Sequence, residues 1–306
     1  MTGTLRVIDS GVTEGRLNIA IGQALIEQHR QDLAPDTLRF LRFPPTALIG
    51  RHQALAQEVD VAFCRQHGIG LARRITGGGA IFLDPGQLGW ELVIRRATLG
   101  GGALNELARR ICEAAAAGLG RLGIEARFRP RNDIEVDGRK LCGTGGFFDG
   151  DTLFFQGTVL VDLDSALMVS ALKVPRAKLE KHALDSAAQR VVTLRELLGA
   201  DCPNLQTIQA ALAGGFESGF GLGAEPGELD GATRTLAQQL FDEEIGQDDF
   251  VNEIEQPAGR EGILEGEHTG PGGTVRTYLS LQGPARNRIG SVLITGDFFV
   301  TPPRVV

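Results

Sequence analysis

Apolar positions recur along this chain with two different periods. In "GRLNIAIGQALIEQ", Leu17, Ile21 and Leu25 stand four apart, the spacing of one helix face. "LNELARRICEAAAAGLGRLG" repeats Leu104, Leu107, Ile111, Ala115, Leu119 and Leu122 at three- and four-residue steps and predicts the clearest amphipathic helix. Elsewhere the runs are short or alternate. "TLRFLRFP" and "TALIGRH", parted by Pro44-Pro45, predict strands, as do "LARRIT", "AIFLD", "GWELVIR" and "TLFFQGTVLVDLD". "VDVAFCRQHG" predicts a short helix closed by Gly68. Asp137-Gly138, between "DIEV" and "RKLCG", is a two-residue hairpin signal. Helices dominate from Ser165 to about Asp242.

Then the pattern changes. From Asp242 to Gln256 there are seven acids and no Lys or Arg, and Gly and Pro thicken toward "GPGG", which predicts a linker or loosely packed connection. "TVRTYLSLQ" alternates cleanly and "RIGSVLITGDFFV" follows after a turn, so a small β-rich unit is expected at the end. The expected organisation is a first domain over residues 1–245 and a small, abbreviated accessory unit over residues 246–306. Strands interspersed with helices and hairpins give an α+β class: a mixed, mainly antiparallel sheet flanked by helices.

Composition narrows the partners. With 306 residues, 42% hydrophobic, the chain is long enough for a large core, and its net charge of −7 argues against nucleic acid or an anionic membrane as partner. Any basic site is therefore local. Cys64, Cys112, Cys142 and Cys202 are scattered, with no C-x-x-C pair, the usage of a reduced, cytoplasmic protein without zinc. No apolar run is long enough to span a bilayer.

Two stretches carry candidate chemistry. "RRITGGGAIF" places Arg73 and Arg74 on successive strand positions, one to each face, ahead of Gly77, Gly78 and Gly79. A glycine run costs more backbone entropy on folding than any other choice. A flexible hairpin tip is the plain explanation; a concavity of N–H groups for an anion, with an Arg fork beside it, is the functional one. The second stretch holds Lys140. The chain has four lysines (Lys140, Lys173, Lys178 and Lys181) against 27 arginines, so a lysine marks a place where a compact ammonium serves and a planar fork does not. Lys140 follows the Asp137-Gly138 turn and precedes "CGTGG", and simple alternation puts Lys140 and Cys142 on one face. In "RPRND", Asn132 and Asp133 begin the adjacent strand, and an Asp beside a phosphate cradle is a candidate magnesium ligand.

"RRITGGGAIFLDPGQL", "RPRNDIEVDGRKLCGTGG" and "FQGTVLVDLD", in this order and spacing, resemble the lipoate–protein ligase branch of the biotin/lipoate ligase superfamily. "NIAIGQALIE", "TALIGRHQ" and "KLEKHALDSAAQRVVTLRELL" fit as well, so the resemblance covers roughly residues 5 to 200; the tail resembles the beginning of the family's accessory domain. The resemblance implies a biotin/lipoate ligase-like catalytic domain and two half-reactions. Lipoate attacks the α-phosphate of ATP, with Mg2+, to give lipoyl-AMP and pyrophosphate. A carrier lysine then takes the acyl group and releases AMP. The acceptor it implies is a two-oxoacid dehydrogenase acyl-carrier domain, the glycine-cleavage carrier or a specialised lipoate-binding protein. Carried over position by position, Arg74, Gly77, Gly78, Gly79, Ala80, Ile81, Phe82, Gln87, Gly143, Gln156 and Thr158 line the ATP and lipoyl-AMP site. Lys140 contacts the α-phosphate and acyl carbonyl as the catalytic residue, and Asn132 and Asp133 sit near nucleotide and metal. The chain departs from the family where Gln87 replaces Asn and Gln156 replaces His; Gln156 can hydrogen-bond but cannot titrate.

Two rivals remain beside this reading. An octanoyl- or lipoyltransferase of the same fold forms a Cys thioester without ATP. Those relatives carry the cysteine upstream of the lysine, where this chain reads "RFRPRND"; Cys142, close to a cation, is the only nearby thiol. A non-catalytic binder of lipoyl carriers is the other. Biotin ligase is disfavoured because no G-R-G-R-x-G-R loop is present. The segment around Lys173, Lys178 and Lys181 is expected to form a loop that closes over the adenylate.

Overall fold

A computed structural model describes residues 3–130, 132–173, 190–255, 257, 259–270, 273–283 and 285–300. Its frame is an eight-stranded sheet. In spatial order it runs β11 (Gly223–Pro226), β1 (Thr4–Val12), β2 (Thr37–Arg42), β6 (Gln87–Arg95), β10 (Thr152–Leu160), β9 (Arg139–Asp149), β8 (Asp133–Val136) and β7 (Arg127–Arg129). β1 pairs in parallel with β11 and β2, and every other pair is antiparallel, so the expected mixed, mainly antiparallel sheet is present. The β8–β9 hairpin turns on Asp137 and Gly138, both at positive φ (50° and 78°), as a primed turn requires.

Alternation along the strands sends successive residues to opposite layers. One layer is the main core: Leu153, Phe155 and Val159 of β10 and Trp90 of β6 pack with Leu107, Ile111, Ala115 and Leu119 of α4 (Leu104–Gly120). Those four helix positions are at most 1% exposed. Each fully buried large aliphatic is worth about 1.5–3 kcal/mol, so the sequence periodicity of this helix is its main reason to fold. The helix Leu205–Phe220 lies beside α4 and closes this layer with Ile208, Leu212 and Phe216. On the opposite face, Phe154 of β10 and Phe147 of β9 meet α1 (Gly15–Arg30) through Ile21, Leu25 and Ile26.

A second sheet of three strands, ordered β4 (Gly70–Arg73), β3 (Thr46–Ile49) and β5 (Ile81–Leu83), packs against α1. β3 lies between the two strands that flank the glycine run. The glycines are therefore not a hairpin tip; they carry the chain across the end of β3 from one edge to the other. Strands β4 and β5 exchange no ladder bonds because they are not neighbours.

The acidic segment is not a linker either. Residues Phe241–Ile245 form a π-turn and Asp248–Val251 a short helix, and Ile245, Phe250 and Val251 are buried in the clusters around the three-stranded sheet. The three buried apolar residues in this stretch decide its packing, while its acids are exposed. After it, β12 (Ile263–Gly270), β13 (Gly273–Gln282) and β14 (Arg288–Gly296) form an antiparallel three-stranded sheet. It docks through the Arg276–Glu58 ion pair at 3.2 Å, the Gln57 Nε2 to Tyr278 Oη bond at 2.6 Å, and the Gly296 N–H donating to the His52 carbonyl at 2.9 Å. Beyond β14, Asp297, Phe298 and Phe299 run back over the glycine loop. No helix among the described residues is long and apolar enough to cross a membrane. Lys173 donates to the Ala56 carbonyl at 2.7 Å, and Lys178 and Lys181, with the closing loop expected there, lie outside the described residues.

Candidate active site

The sheet face under α1 and the glycine loop carries the polar residues. In register across four strands stand Arg39 (β2), Glu91 (β6), Gln156 (β10) and Gly145 (β9). Arg39 and Glu91 form a buried ion pair, Nε to Oε2 at 2.8 Å, and Arg39 also donates to the Asn18 carbonyl at 2.8 Å. Burial raises the Glu91 carboxyl above its ordinary value, against the opposing pull of Arg39. Next in the row, Gln156 Nε2 donates to Thr76 Oγ1 at 2.9 Å and so ties the sheet to the glycine loop. The adjacent register row places Thr158 and Gly143 side by side, and Gly143 opposite Asp133.

Lys140 reaches this face by a detour. The β8–β9 register shifts between Ile134↔Cys142 and Glu135↔Lys140, an irregularity of one residue. The side chain of Lys140 consequently lies over Gly143: a Cβ there would fall 2.5 Å from Lys140 Nζ. Cys142, the residue before Gly143 on the strand, points into the main core on the other side. Simple alternation thus fails for Lys140 and Cys142, because the bulge adds the residue that turns them apart. Lys140 Nζ stands 2.9 Å from Asp133 Oδ1. Among the described residues this is an ion-pair contact and not a directed hydrogen bond, and Oδ1 is buried. Arg129 holds the other oxygen, Oδ2. Asn132 locks the turn below: its Nδ2 donates to the Thr144 carbonyl at 2.7 Å, and its own carbonyl accepts from Thr144 N at 2.8 Å.

The glycine loop forms the roof. Arg73 and Arg74 are almost fully buried and fully engaged with main-chain carbonyls. Arg73 donates to those of Phe250, Val251, Arg51 and Gln53, and Arg74 to those of Gly77 and Gly79. Burial lowers both guanidinium pKa values to about 10, so both stay charged at neutral pH. Neither offers a free fork to a phosphate. Arg74 shapes the loop, and Arg73 holds the segment after the acidic stretch. Gly78 takes a φ of 93°, and its N–H donates to the Phe298 carbonyl at 3.1 Å. The expected anion nest is thus capped by a carbonyl of the chain itself.

Of the residues singled out in the sequence, Asp133, Lys140, Gly143, Gln156 and Thr158 share one face of the sheet, with Gly77, Gly78 and Gly79 in the loop above it. Asn132 serves as the clamp behind Asp133. Ala80, Ile81 and Phe82 belong instead to the packing of the three-stranded sheet, where Phe82 is 4% exposed. Gln87 is spent on the turn before β6, accepting from Asp84 N at 2.6 Å. Sequence reading missed Arg39, Glu91, Thr76 and Gly145. The alternation in "GTGG" signals Gly145, which shares a face with Gly143; the others depend on cross-strand register.

A cavity of about 290 Å³ opens at one end of this face. Ile26, Ile75, Phe147, Leu240, Ile245 and Phe250 give it apolar walls, and Gln23, Glu27, Arg30 and Arg51 are among the polar residues that also line it. Phe147 follows Gly143 and Gly145 along β9 with the same parity. A trough whose floor carries no side chain at Gly143 and Gly145 therefore leads from Lys140 toward the cavity.

None of the four thiols faces the trough. Cys112 and Cys142 are buried in the main core on the other side of the sheet, and Cys202 packs at its edge. Burial pushes the Cys112 thiol up to about 11 and the Cys142 thiol up to about 12, despite nearby Lys140. Cys64 is buried in the cluster behind the three-stranded sheet, and burial raises its thiol as well.

Known proteins resemble this chain in sequence and fold. The octanoyltransferase LipM of Kyrpidia tusciae is 29% identical over 262 residues, covering 78% of this chain and 95% of the relative. The lipoate-protein ligase LplJ of Bacillus subtilis is 31% identical over 194 residues, covering 63% of this chain and 57% of the relative. Among solved structures, the bi-partite lipoate protein ligase of Thermoplasma acidophilum, studied with its E2 lipoyl domain, superimposes with a TM-score of 0.73 at 25% identity, covering 84% of this chain and 99% of that one. The model of the lipoyl protein ligase A/B catalytic domain matches residues 14–217, and the chain belongs to that family.

Proposed function

We propose that the protein activates lipoate or octanoate as an acyl adenylate and passes the acyl group to a lysine of a lipoyl carrier domain. In the first step the acid's carboxylate attacks the α-phosphate of ATP and pyrophosphate leaves. In the second, the carrier's amine attacks the acyl carbonyl, AMP leaves and the amine gives up a proton. Negative charge builds on phosphate and carbonyl oxygens in both steps, and a fixed cation in a partly desolvated trough stabilises it. Lys140, lying over Gly143 and steadied by Asp133, is that cation. The apolar cavity beyond Phe147 receives the acyl tail. Residues 263–300, the small β-unit and the strand that returns from it, form an accessory unit to the catalytic body.

The state of the thiols supports ATP as the source of activation. A thioester route needs an accessible thiolate of lowered pKa, and burial moves Cys112 and Cys142 the other way. Among the described residues no preformed magnesium cradle made by protein ligands alone is present, and the ion would be held chiefly by the phosphates of ATP. Both oxygens of Asp133, the carboxylate expected to hold it, face cations, and no cluster of three potential ligands exists among the described residues.

The second reading, ATP-independent octanoyl transfer, draws on the octanoyltransferase relative, which this chain covers nearly end to end. One pair of assays separates the two. We expect lipoate- or octanoate-dependent exchange of labelled pyrophosphate into ATP. No exchange, together with transfer from an octanoylated carrier to a lipoyl domain without ATP, would overturn the adenylate reading. The second activity alone would establish the transferase.

A further inference from the structure

The trough between Lys140 and the cavity contains an aromatic ring from the end of the chain. A Cβ on Gly145 would fall 2.7 Å from Phe299 Cε1, and one on Gly78 would fall 2.8 Å from Phe299 Cζ. The ring is therefore held between the floor, Gly145 of β9, and the roof, Gly78 of the glycine loop. Its backbone is pinned close by. The Phe298 carbonyl accepts from Gly78 N at 3.1 Å, and the Phe298 ring stacks on His52 with centroids 4.9 Å apart. Yet Phe299 itself is 45% exposed, one of the few large apolar side chains so open. The tip of the ring thus lies between two glycines while nearly half of the residue is open to solvent, so a change of the Phe299 side-chain rotamer can withdraw the ring with the Phe298 anchor left in place.

We propose that Phe299 selects acyl chains by length: its ring occupies the middle of the acyl trough, and a chain long enough to pass Gly145 binds only by displacing it. The inference rests on the acyl-site reading above. A strand advances about 3.3 Å per residue, so Gly145 lies about 7 Å beyond Gly143, and Phe147 about 13 Å beyond it. With carbon–carbon bonds of about 1.5 Å, a three-carbon acid anchored at Lys140 ends before the ring. An eight-carbon acid, about 9 Å long when extended, reaches past Gly145 toward the mouth of the cavity. The glycines at 78 and 145 make the slot, since any side chain at either would fill it, and the ring that fills it is nearly half exposed. Burial of the tail in the cavity offsets the loss of the ring's contacts for long chains. Short chains leave the ring in place.

The test compares equilibrium binding of octanoate and propionate to the full-length parent, Phe299→Ala and Phe299→Trp. In Phe299→Ala, octanoate binds on the order of tenfold tighter, because a half-exposed ring gives up roughly half the transfer free energy of a buried Phe. In Phe299→Trp, octanoate binds more weakly, and propionate is the same in all three proteins. A thermal melt of each variant confirms the fold, which a half-exposed side chain perturbs little. If the parent binds octanoate and neither substitution alters it, or if propionate gains as much as octanoate, the length-selecting role of Phe299 is overturned and the acyl site stands. If no variant binds octanoate at millimolar concentration, the acyl-site reading itself fails, and the inference with it.

Discussion

At the scale of single residues, the chain's sparing use of lysine drew attention to Lys140, and the structure places that residue beside a glycine of the sheet. The ammonium reaches a trough floored by glycine, 2.9 Å from Asp133, where a guanidinium plane has little room over Gly143. Replacing Lys140 by Ala is expected to slow adenylate formation by about 10²–10³-fold, read as pyrophosphate exchange at saturating acid. Lys140→Arg should not restore the rate. A rate within threefold of the parent for Lys140→Ala would remove the residue from the chemistry. The thiols make an independent check. Cys64, Cys112 and Cys142 are buried, and only Cys202 has partial exposure. Alkylation of the native protein followed by mass mapping should label Cys202 alone, with the other three reacting only after denaturation. Rapid labelling of Cys142 would show an accessible thiol and favour the thioester route.

At the scale of elements, periodicity was a good guide wherever one face of a helix or strand meets the core. It served for α1, α4 and the long strands, whose apolar positions reappear as buried residues. It misled where geometry is set by a neighbour. The bulge between β8 and β9 arises from the pairing of two strands, and it moves Lys140 off the face of Cys142. The acidic stretch looked unanchored, yet Arg73, 175 or more positions earlier, donates to the carbonyls of Phe250 and Val251. The docking of the small β-unit belongs to this scale too. His52 supplies its carbonyl to Gly296 and its ring to Phe298, and burial lowers its pKa below the ordinary 6.5, with Arg51 and Arg73 adding to the shift and Glu253 opposing it. A lowered value in the docked state means that docking binds fewer protons than undocking. The His52 contribution is therefore complete above the ordinary value and is lost as pH falls through the lowered one. Hydrogen-exchange protection factors in β13 and β14, which correct for intrinsic pH-dependent exchange, should be lower at pH about 5.5 than at about 7.5, and His52→Gln should remove much of that difference. Equal protection of the parent at both pH values would show that His52 stays neutral throughout.

At the scale of the whole molecule, the site exists because three separate parts of the chain meet. The eight-stranded sheet lays Asp133, Gly143, Gly145, Gln156 and Thr158 on one face, the crossover from β4 to β5 hangs its glycines above them, and the strand leaving β14 returns to fill the gap. The pyrophosphate-exchange and acid-binding experiments both act here, because each reads the sheet face and the glycine loop together, and the second also reads the returning strand. Their combined outcomes separate a ligase from a transferase and an open trough from one guarded by Phe299.

The sequence by itself determined the α+β class, the main helices and strands, the β8–β9 turn, and the family to which the ordered glycine, Asn-Asp and lysine motifs belong. These follow from local causes: apolar period, turn chemistry, and residue types that few other functions require in that order. Only the tertiary structure decided what the arginines and glycines do. Arg74 is consumed by carbonyls of its own loop, Gly78 is capped by the Phe298 carbonyl, and Gly145 forms a floor under a ring 154 positions later in the chain. Hydrogen-bond partners of buried groups are chosen by whatever the fold brings within reach, and no local pattern encodes them.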